Sequence, residues 1–379
     1  MSKNVVIFSL KGPSKKAVIG GAEVYIDNFA KVLAKQGMKV TILCGRDKGE
    51  DDLPDTEELA ENVLLKRFKS PMNFLPLSIF KTHTYYNKEL KKRTDLVIEN
   101  QQVFPLFAAV YKKHICTIVY HLTGNDFIRK QGIIKGSIGI FLERGIFPLL
   151  YKKKPIITMS EHSKELLIEA GLREEKISII PPIVDVEAIS EEERKQPREN
   201  IISYIGRYTG RGGNKRIDHV IEVLPKIAEK VPDVKLKIAG YIRELDELKE
   251  IVFKAGVENR VEFLGLVSEE EKLEMMQVSK VFASPSYEES FGITYIEANA
   301  KGTPVVGYEI SGLDTVPETA GVMVEKDDLE KLADESIELL TNDGKWNELS
   351  VGSVENGKRF TRNVIEGKIA KFMEGLLSK

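Results

Sequence analysis

A strand-and-helix alternation runs through this chain twice, and few folds can absorb it. Short apolar runs lie at 5–9, 39–44, 95–100, 117–122, 155–160 and 177–182 in the first half. Others lie at 201–206, 234–240, 261–265, 280–286 and 304–308 in the second. Helical patterns fall between them, at 21–36, 161–170, 216–230, 268–278, 291–301 and 327–341. Near-continuous apolar strands separated by helices predict parallel sheets covered on both faces. A charged, strand-free stretch at 186–199, VEAISEEERKQPRE, predicts a linker. The expectation is an α/β protein with two doubly wound parallel-sheet domains facing a cleft, over residues 1–185 and 186–360. The last helix, 361–377, carries Ile365, Ile369, Phe372 and Leu376 on one face. It is expected to dock, with 361–379 returning to the first domain.

Such a chain is long enough for two cores. It opens MSKNVVIFSL, with strand character from the start, so a leader peptide is not expected. Cys44 and Cys116 sit in apolar runs and read as core residues of a reducing compartment. No stretch is long and apolar enough for a spanning helix; 131–150 is broken by Lys135, Glu143 and Arg144. The expected location is the cytoplasm, with peripheral contact at the inner membrane face as a further option. Abundant Lys and Glu with few Gln hints at a thermophilic source. The net charge of −2 hides an asymmetry: residues 1–185 carry 29 Lys+Arg against 21 Asp+Glu. Either the two halves are simply solvated differently, or the basic half faces an anionic partner.

In doubly wound domains, ligands bind beyond the carboxyl ends of the strands. Four such loops are informative. After 5–9, Gly20 and Gly21 open a helix; they suit a phosphate approaching backbone amides, or merely a turn. The run 117–122 ends at His121–Leu122, with Asp126 nearby; a strand-end histidine can bond a substrate hydroxyl or be structural. After 201–206, RYTGRGGNKR offers Arg207, Arg211, Lys215 and Arg216 among glycines, a composition suited to a pyrophosphate. The fourth is EESFGITYIEA, 288–298. Ser290 reads as an N-cap, the helix starts at Phe291, and Gly302 with Pro304 stops it. Ile293, Ile296, Glu297 and Ala300 then form a core-facing stripe. A carboxylate there costs free energy unless a ligand, or a neighbouring arginine, satisfies it. There is no GxGxxG or Walker motif, no D-x-D pair and no metal-ligand spacing among the histidines.

These segments, in this order, resemble the retaining GT-B glycosyltransferases, family 4 (glycosyltransferase group 1), built from two Rossmann-like domains. The resemblance rests on GGAE (20–23), His121, MSEHSKELL (159–167), IIPPIVD (179–185) and YIGRY with NKRID (204–218). It continues through KIAG (237–240), VEFLGLVSEEEKLEMM (261–276), ASPSYEESFGITYIEANAKGTPVVG (283–307) and GVMV (321–324). Pro182–Ile183 depart from the usual Asn-Gly, two extra residues separate Arg207 from Lys215, and Thr294 replaces an aliphatic residue. The resemblance implies that Glu297 accepts hydrogen bonds from a nucleotide ribose and that Glu289 stands beside the donor sugar. It implies that amides of Phe291, Gly292 and Ile293 cradle sugar and phosphate. Arg207 and Lys215 would neutralise the leaving diphosphate, Gly20 and Gly21 would close over it, and His121 would lie near outer sugar hydroxyls or the acceptor.

The expected activity is therefore hexosyl transfer from a nucleoside-diphosphate sugar, a UDP- or GDP-sugar first, with retention of anomeric configuration. No metal and no separate cofactor are expected, and no nucleic-acid partner. The acceptor is a sugar, a small molecule or a lipid-linked hydroxyl. Alternatives are a GT-B relative such as an epimerase or phosphorylase, and a non-catalytic nucleotide-sugar-binding protein. Residues 127–154 mix apolar runs with Lys130, Lys135, Arg144 and Lys152–Lys154. They read either as a helix lying on an anionic bilayer or as a core helix with a solvated basic end.

Overall fold

The computed structural model describes residues 2–13, 21–46, 52–69, 75–102, 105–111, 114–120, 122, 124, 132–211, 213–289, 291–310 and 313–378. They form two compact units, residues 1–183 with 365–379, and residues 184–364.

Unit 1 holds β1 (Asn4–Ser9), β2 (Lys39–Gly45), β3 (Thr56–Ala60), β4 (Val63–Phe68), β5 (Leu96–Gln101), β6 (His114–Val119), β7 (Ile156–Thr158) and β8 (Ile177–Ile179). The sheet order is β3-β4-β2-β1-β5-β6-β7-β8. Only β3 pairs antiparallel, with β4; the other pairings among these strands are parallel. All six residues of β5 are buried, the mark of a central parallel strand covered on both faces. Its Glu99 is fully buried, and burial pushes the carboxyl up to about 7. The carboxylate accepts from the amides of Leu106 and Ala108 at 2.7 and 2.8 Å and from the Tyr151 hydroxyl.

Unit 2 holds β9 (Glu199–Ile205), β10 (Lys235–Ala239), β11 (Val261–Gly265), β12 (Ser279–Ser284), β13 (Val305–Tyr308) and β14 (Gly321–Val324). They are all parallel, in the order β11-β10-β9-β12-β13-β14. The winding direction reverses between β9 and β12, the place where open α/β sheets bind ligands beyond the carboxyl ends of their strands. The helix after β9, Ile217–Lys230, shows why the chain folds this way. Ile217, Val220, Ile221, Leu224 and Ile227 line one face, and all are buried against the sheet. Each such side chain contributes about 1.5–3 kcal/mol by leaving water.

The structure differs from the sequence reading in several places. β3 and β4 were not expected; β4 alternates buried and exposed positions and carries Lys66 and Arg67, so its apolar signal is diluted. β6 begins three residues earlier than expected and ends at Val119. The stretch 186–199 is no free linker. Ile189 is buried with its amide on the Ala300 carbonyl, a capped turn spans Glu191–Arg194, and Arg194 donates to Asn347 at 2.6 Å. On the last helix, Arg362–Leu377, Met373 joins Ile365, Ile369 and Leu376 in the core where Phe372 was expected. No described helix is long and apolar enough to cross a membrane.

Candidate active site

The loop after β9 is laid against the loop after β10 by two glycines. Gly240 adopts φ +119, and a Cβ there would meet the Gly206 carbonyl oxygen at 2.1 Å. Only glycine permits that approach. Tyr208 and Arg243 then exchange backbone bonds across the two loops, through Tyr208 N to Tyr241 O and Arg243 N to Tyr208 O, both 2.9 Å. This fixes Arg207 at the strand end, exposed, with no hydrogen-bond or ion-pair partner among the described residues.

The far end of the same loop is pinned to the chain leaving β12. Lys215 bridges to Ser286, and the Tyr287 amide donates to Asn214 O at 2.7 Å. Lys215 Nζ consequently pairs with Glu289 Oε2. The other two cations of RYTGRGGNKR are committed elsewhere. Arg216 grips the fully buried Asp218 at 2.6 Å, donates to the Tyr287 hydroxyl and stacks 4.9 Å over its ring. Arg211 forms a surface pair with Glu222 at 2.8 Å. Of the four, Arg207 has no carboxylate partner among the described residues and Lys215 holds Glu289.

The helix carrying the second glutamate runs Ile293–Ala300, two residues shorter at its start than expected. Gly292, at φ +77, occupies the N-cap position, with no side-chain cap among the described residues. Ser290, the expected cap, lies outside the described residues. Phe291 is buried against Phe360, with its carbonyl accepting from Thr315 Oγ1 at 2.8 Å. The amides of Phe291, Gly292 and Ile293 find no acceptor among the described residues. An uncapped helix start presents these donors and a partial positive charge.

Glu297 is 7% exposed. Its Oε1 accepts from Lys272 Nζ at 2.9 Å, and Lys272 also meets Glu269 at 2.5 Å. Its Oε2 is buried with no hydrogen-bond partner among the described residues. Burial holds the carboxyl above its ordinary value, opposed by the Lys272 ammonium. The neighbour is a lysine, not the arginine considered from sequence, and it satisfies only one oxygen. Lys272 was missed, although its signal was present. With Met275 and Met276 it forms the buried i, i+3, i+4 stripe of helix Glu269–Val278.

In unit 1, Gly21 is the first residue of helix Gly21–Lys35, with open space where a Cβ would stand. Gly20 and His121 lie outside the described residues. Arg207, Lys215, Glu289, Phe291, Gly292, Ile293 and Glu297 all belong to unit 2.

The description Glycosyl transferases group 1 matches residues 185–360, and Glycosyltransferase Family 4 matches residues 19–188. The chain belongs to this glycosyltransferase family. Its two parallel-sheet domains are those of the GT-B fold. The glycosyltransferase is 27% identical over 318 residues to an uncharacterized glycosyltransferase of Methanocaldococcus jannaschii, covering 78% of each chain. Among solved structures it resembles sucrose-phosphate synthase from Thermosynechococcus elongatus, with TM-score 0.73, 19% identity and 99% of each chain covered. It also resembles HepE from Anabaena in complex with UDP and glucose, with TM-score 0.70, 17% identity, and 98% and 100% of the two chains covered.

Proposed function

We propose that this glycosyltransferase moves a hexosyl group from a nucleoside-diphosphate sugar to an acceptor hydroxyl, with retention of anomeric configuration. The observation that carries the donor reading is the orphaned Oε2 of Glu297. A buried carboxylate oxygen without a partner costs about 1–3 kcal/mol, and a ribose hydroxyl would satisfy it. The UDP and glucose bound by HepE make a UDP-sugar the first donor to try.

In this reading the bond from the anomeric carbon to the diphosphate breaks. Negative charge grows on the leaving oxygen and positive charge on the sugar ring. Arg207, Lys215 and the open amides of Phe291–Ile293 stabilise the first, supplying positive charge without a divalent ion. Glu289, beside Lys215, stands at the sugar and opposes the second. The acceptor oxygen bonds to the anomeric carbon on the face the diphosphate leaves, and the acceptor proton passes to the departing phosphate oxygen.

A thermal-shift screen of UDP-, GDP- and ADP-sugars tests donor binding, because a ligand held by the folded state raises Tm. Proton NMR of the transfer product reads the anomer, with and without EDTA. Stabilisation by one nucleotide sugar and a retained anomer in EDTA are expected. Tm unmoved by every nucleotide sugar would overturn the reading, and nucleotide release without any acceptor, together with an epimerised sugar, would replace transfer by epimerisation.

A further inference from the structure

Large apolar side chains exposed next to one another mark a binding surface on a soluble protein. Unit 1 carries such a set on helix Ile133–Phe141. Ile134, Ile138 and Phe141 are 79%, 56% and 63% exposed, and at 100° per residue they fall within an arc of about 60°. Ile133 and, on helix Phe147–Tyr151, Leu149 are as exposed. The patch continues past Phe141. Its neighbour Leu142 walls a groove of about 670 Å³ together with Phe80, Phe107 and Val110. Phe80 and Val110 are themselves largely exposed.

The groove is apolar because its polar groups are turned onto one another. His83 Nε2 meets the Leu106 carbonyl at 2.7 Å, which assigns the proton there, and Nδ1 accepts from the Tyr111 hydroxyl at 2.6 Å. Burial pulls this imidazole below its ordinary value, in keeping with a neutral ring. Along the helical segment the exposed charge has one sign. From Gly132 to Ser160 the only acidic residue is Glu143, which is buried and accepts from the Gly124 amide at 2.7 Å. Lys135, Arg144, Lys152 and Lys153 are all exposed.

We propose that this face docks on an anionic bilayer, with the Ile134–Ile138–Phe141 stripe at the boundary between headgroups and acyl chains. The flanking cations pair with lipid phosphates, and the groove beneath Leu142 accepts acyl carbon. The charge chooses this occupant: an apolar stripe whose own segment, residues 132–160, exposes cations and no carboxylate is the pattern of an interfacial helix. The proposal goes beyond the donor chemistry and does not depend on it.

Co-sedimentation compares vesicles of phosphatidylcholine alone with vesicles containing phosphatidylglycerol, at low and high salt. Binding to the anionic vesicles at low salt, weakened by salt, is expected. The double variant Lys152→Ser, Lys153→Ser should bind about thirtyfold more weakly. Ile134→Ser with Phe141→Ser should abolish binding while circular dichroism and melting temperature hold, since both side chains already face water. Cys44 and Cys116 are buried, so Ile138→Cys can be labelled selectively with an environment-sensitive fluorophore. Its emission should shift to the blue with anionic vesicles. No binding to them, or binding unaltered by either double variant, overturns the proposal. So does a dimer in sedimentation velocity that Ile134→Ser with Phe141→Ser disperses, which would give the face to a second copy of the chain.

Discussion

Glu289 and Glu297 each hold a lysine, and the two pairs differ in their contact with water. The Lys215 and Glu289 side chains are 27% and 20% exposed; those of Lys272 and Glu297 are 11% and 9%. A pair reached by solvent contributes less than a buried one, so in the proposed reaction a diphosphate would displace Glu289 from Lys215 at the lower cost. Removing one partner of a buried pair costs about 3–5 kcal/mol. Glu297 is therefore fixed in place, with one oxygen spoken for and one to offer. One lysine is arranged to be exchanged and the other to stay. The first pair is suited to a reacting centre, the second to a binding clamp.

The largest effect should come from stripping charge at the exchangeable end. Arg207→Ala and Lys215→Ala should each lower kcat about 10²–10³-fold at saturating donor, the size found when a preorganised charge stabiliser is lost. Arg211→Ala should stay close to wild type, because its partner Glu222 is a surface residue. Arg216→Ala should lower Tm instead, since it strands the buried Asp218. Steady-state kinetics with melting curves on all four separates the roles. A silent Lys215→Ala beside an Arg211→Ala or Arg216→Ala that cuts kcat at unchanged Tm would reverse the assignment across the two-residue insertion.

The contrast between the pairs was half legible in the sequence. A glutamate on an apolar helical stripe announces itself, and Glu297 is buried as its spacing required. The cations after β9 were visible too, but not which carboxylate each would meet. That depends on Asp218, two residues beyond Arg216, and on Tyr287, brought in by the segment that leaves β12. Lys272 was hidden for the opposite reason. Its charge argued for solvent, and only the carboxylate from a different helix makes its burial tolerable. The helix start moved because Gly292 can take positive φ, which ends the helix without a side-chain cap. Ile189 anchors a segment whose charge suggested a linker. Local pattern found the elements; pairings between distant residues decided the site.

A second, smaller effect should divide the glutamates. Glu297→Ala should raise the donor Kd about tenfold to hundredfold, the value of a hydrogen bond to a charged acceptor. Glu289→Gln should leave donor Kd within a few-fold and lower kcat instead. Calorimetric titration of the nucleotide sugar into both variants, beside turnover measurements, reads the two quantities separately. Unchanged donor affinity in Glu297→Ala would remove the ribose assignment and with it the clamp.

The smallest effect is a displacement along the pH axis, and it tests why the clamp has a lysine. Burial raises the Glu297 carboxyl above its ordinary value, and Lys272 limits the rise. Burial pulls the Lys272 ammonium down, but the Glu297 and Glu269 carboxylates carry it above its ordinary value. Glu297 accepts from hydroxyls when ionised, so donor affinity should be full above its folded pKa and fall as pH drops through it. Stability moves the other way. A carboxyl raised on folding contributes stability that is complete below its unfolded pKa and is lost as pH rises through the folded value. Acidification should therefore weaken donor binding while relieving the ligand-free protein of a buried charge. In Lys272→Met nothing opposes burial, so the loss of affinity should begin at higher pH than in the parent, and Lys272→Arg should restore the parent profile. Donor titrations from about pH 8 down to about pH 5, with melting curves over the same range, follow both trends. If Lys272→Met lowers affinity equally at every pH, the lysine touches the donor directly and does not act by holding Glu297 charged.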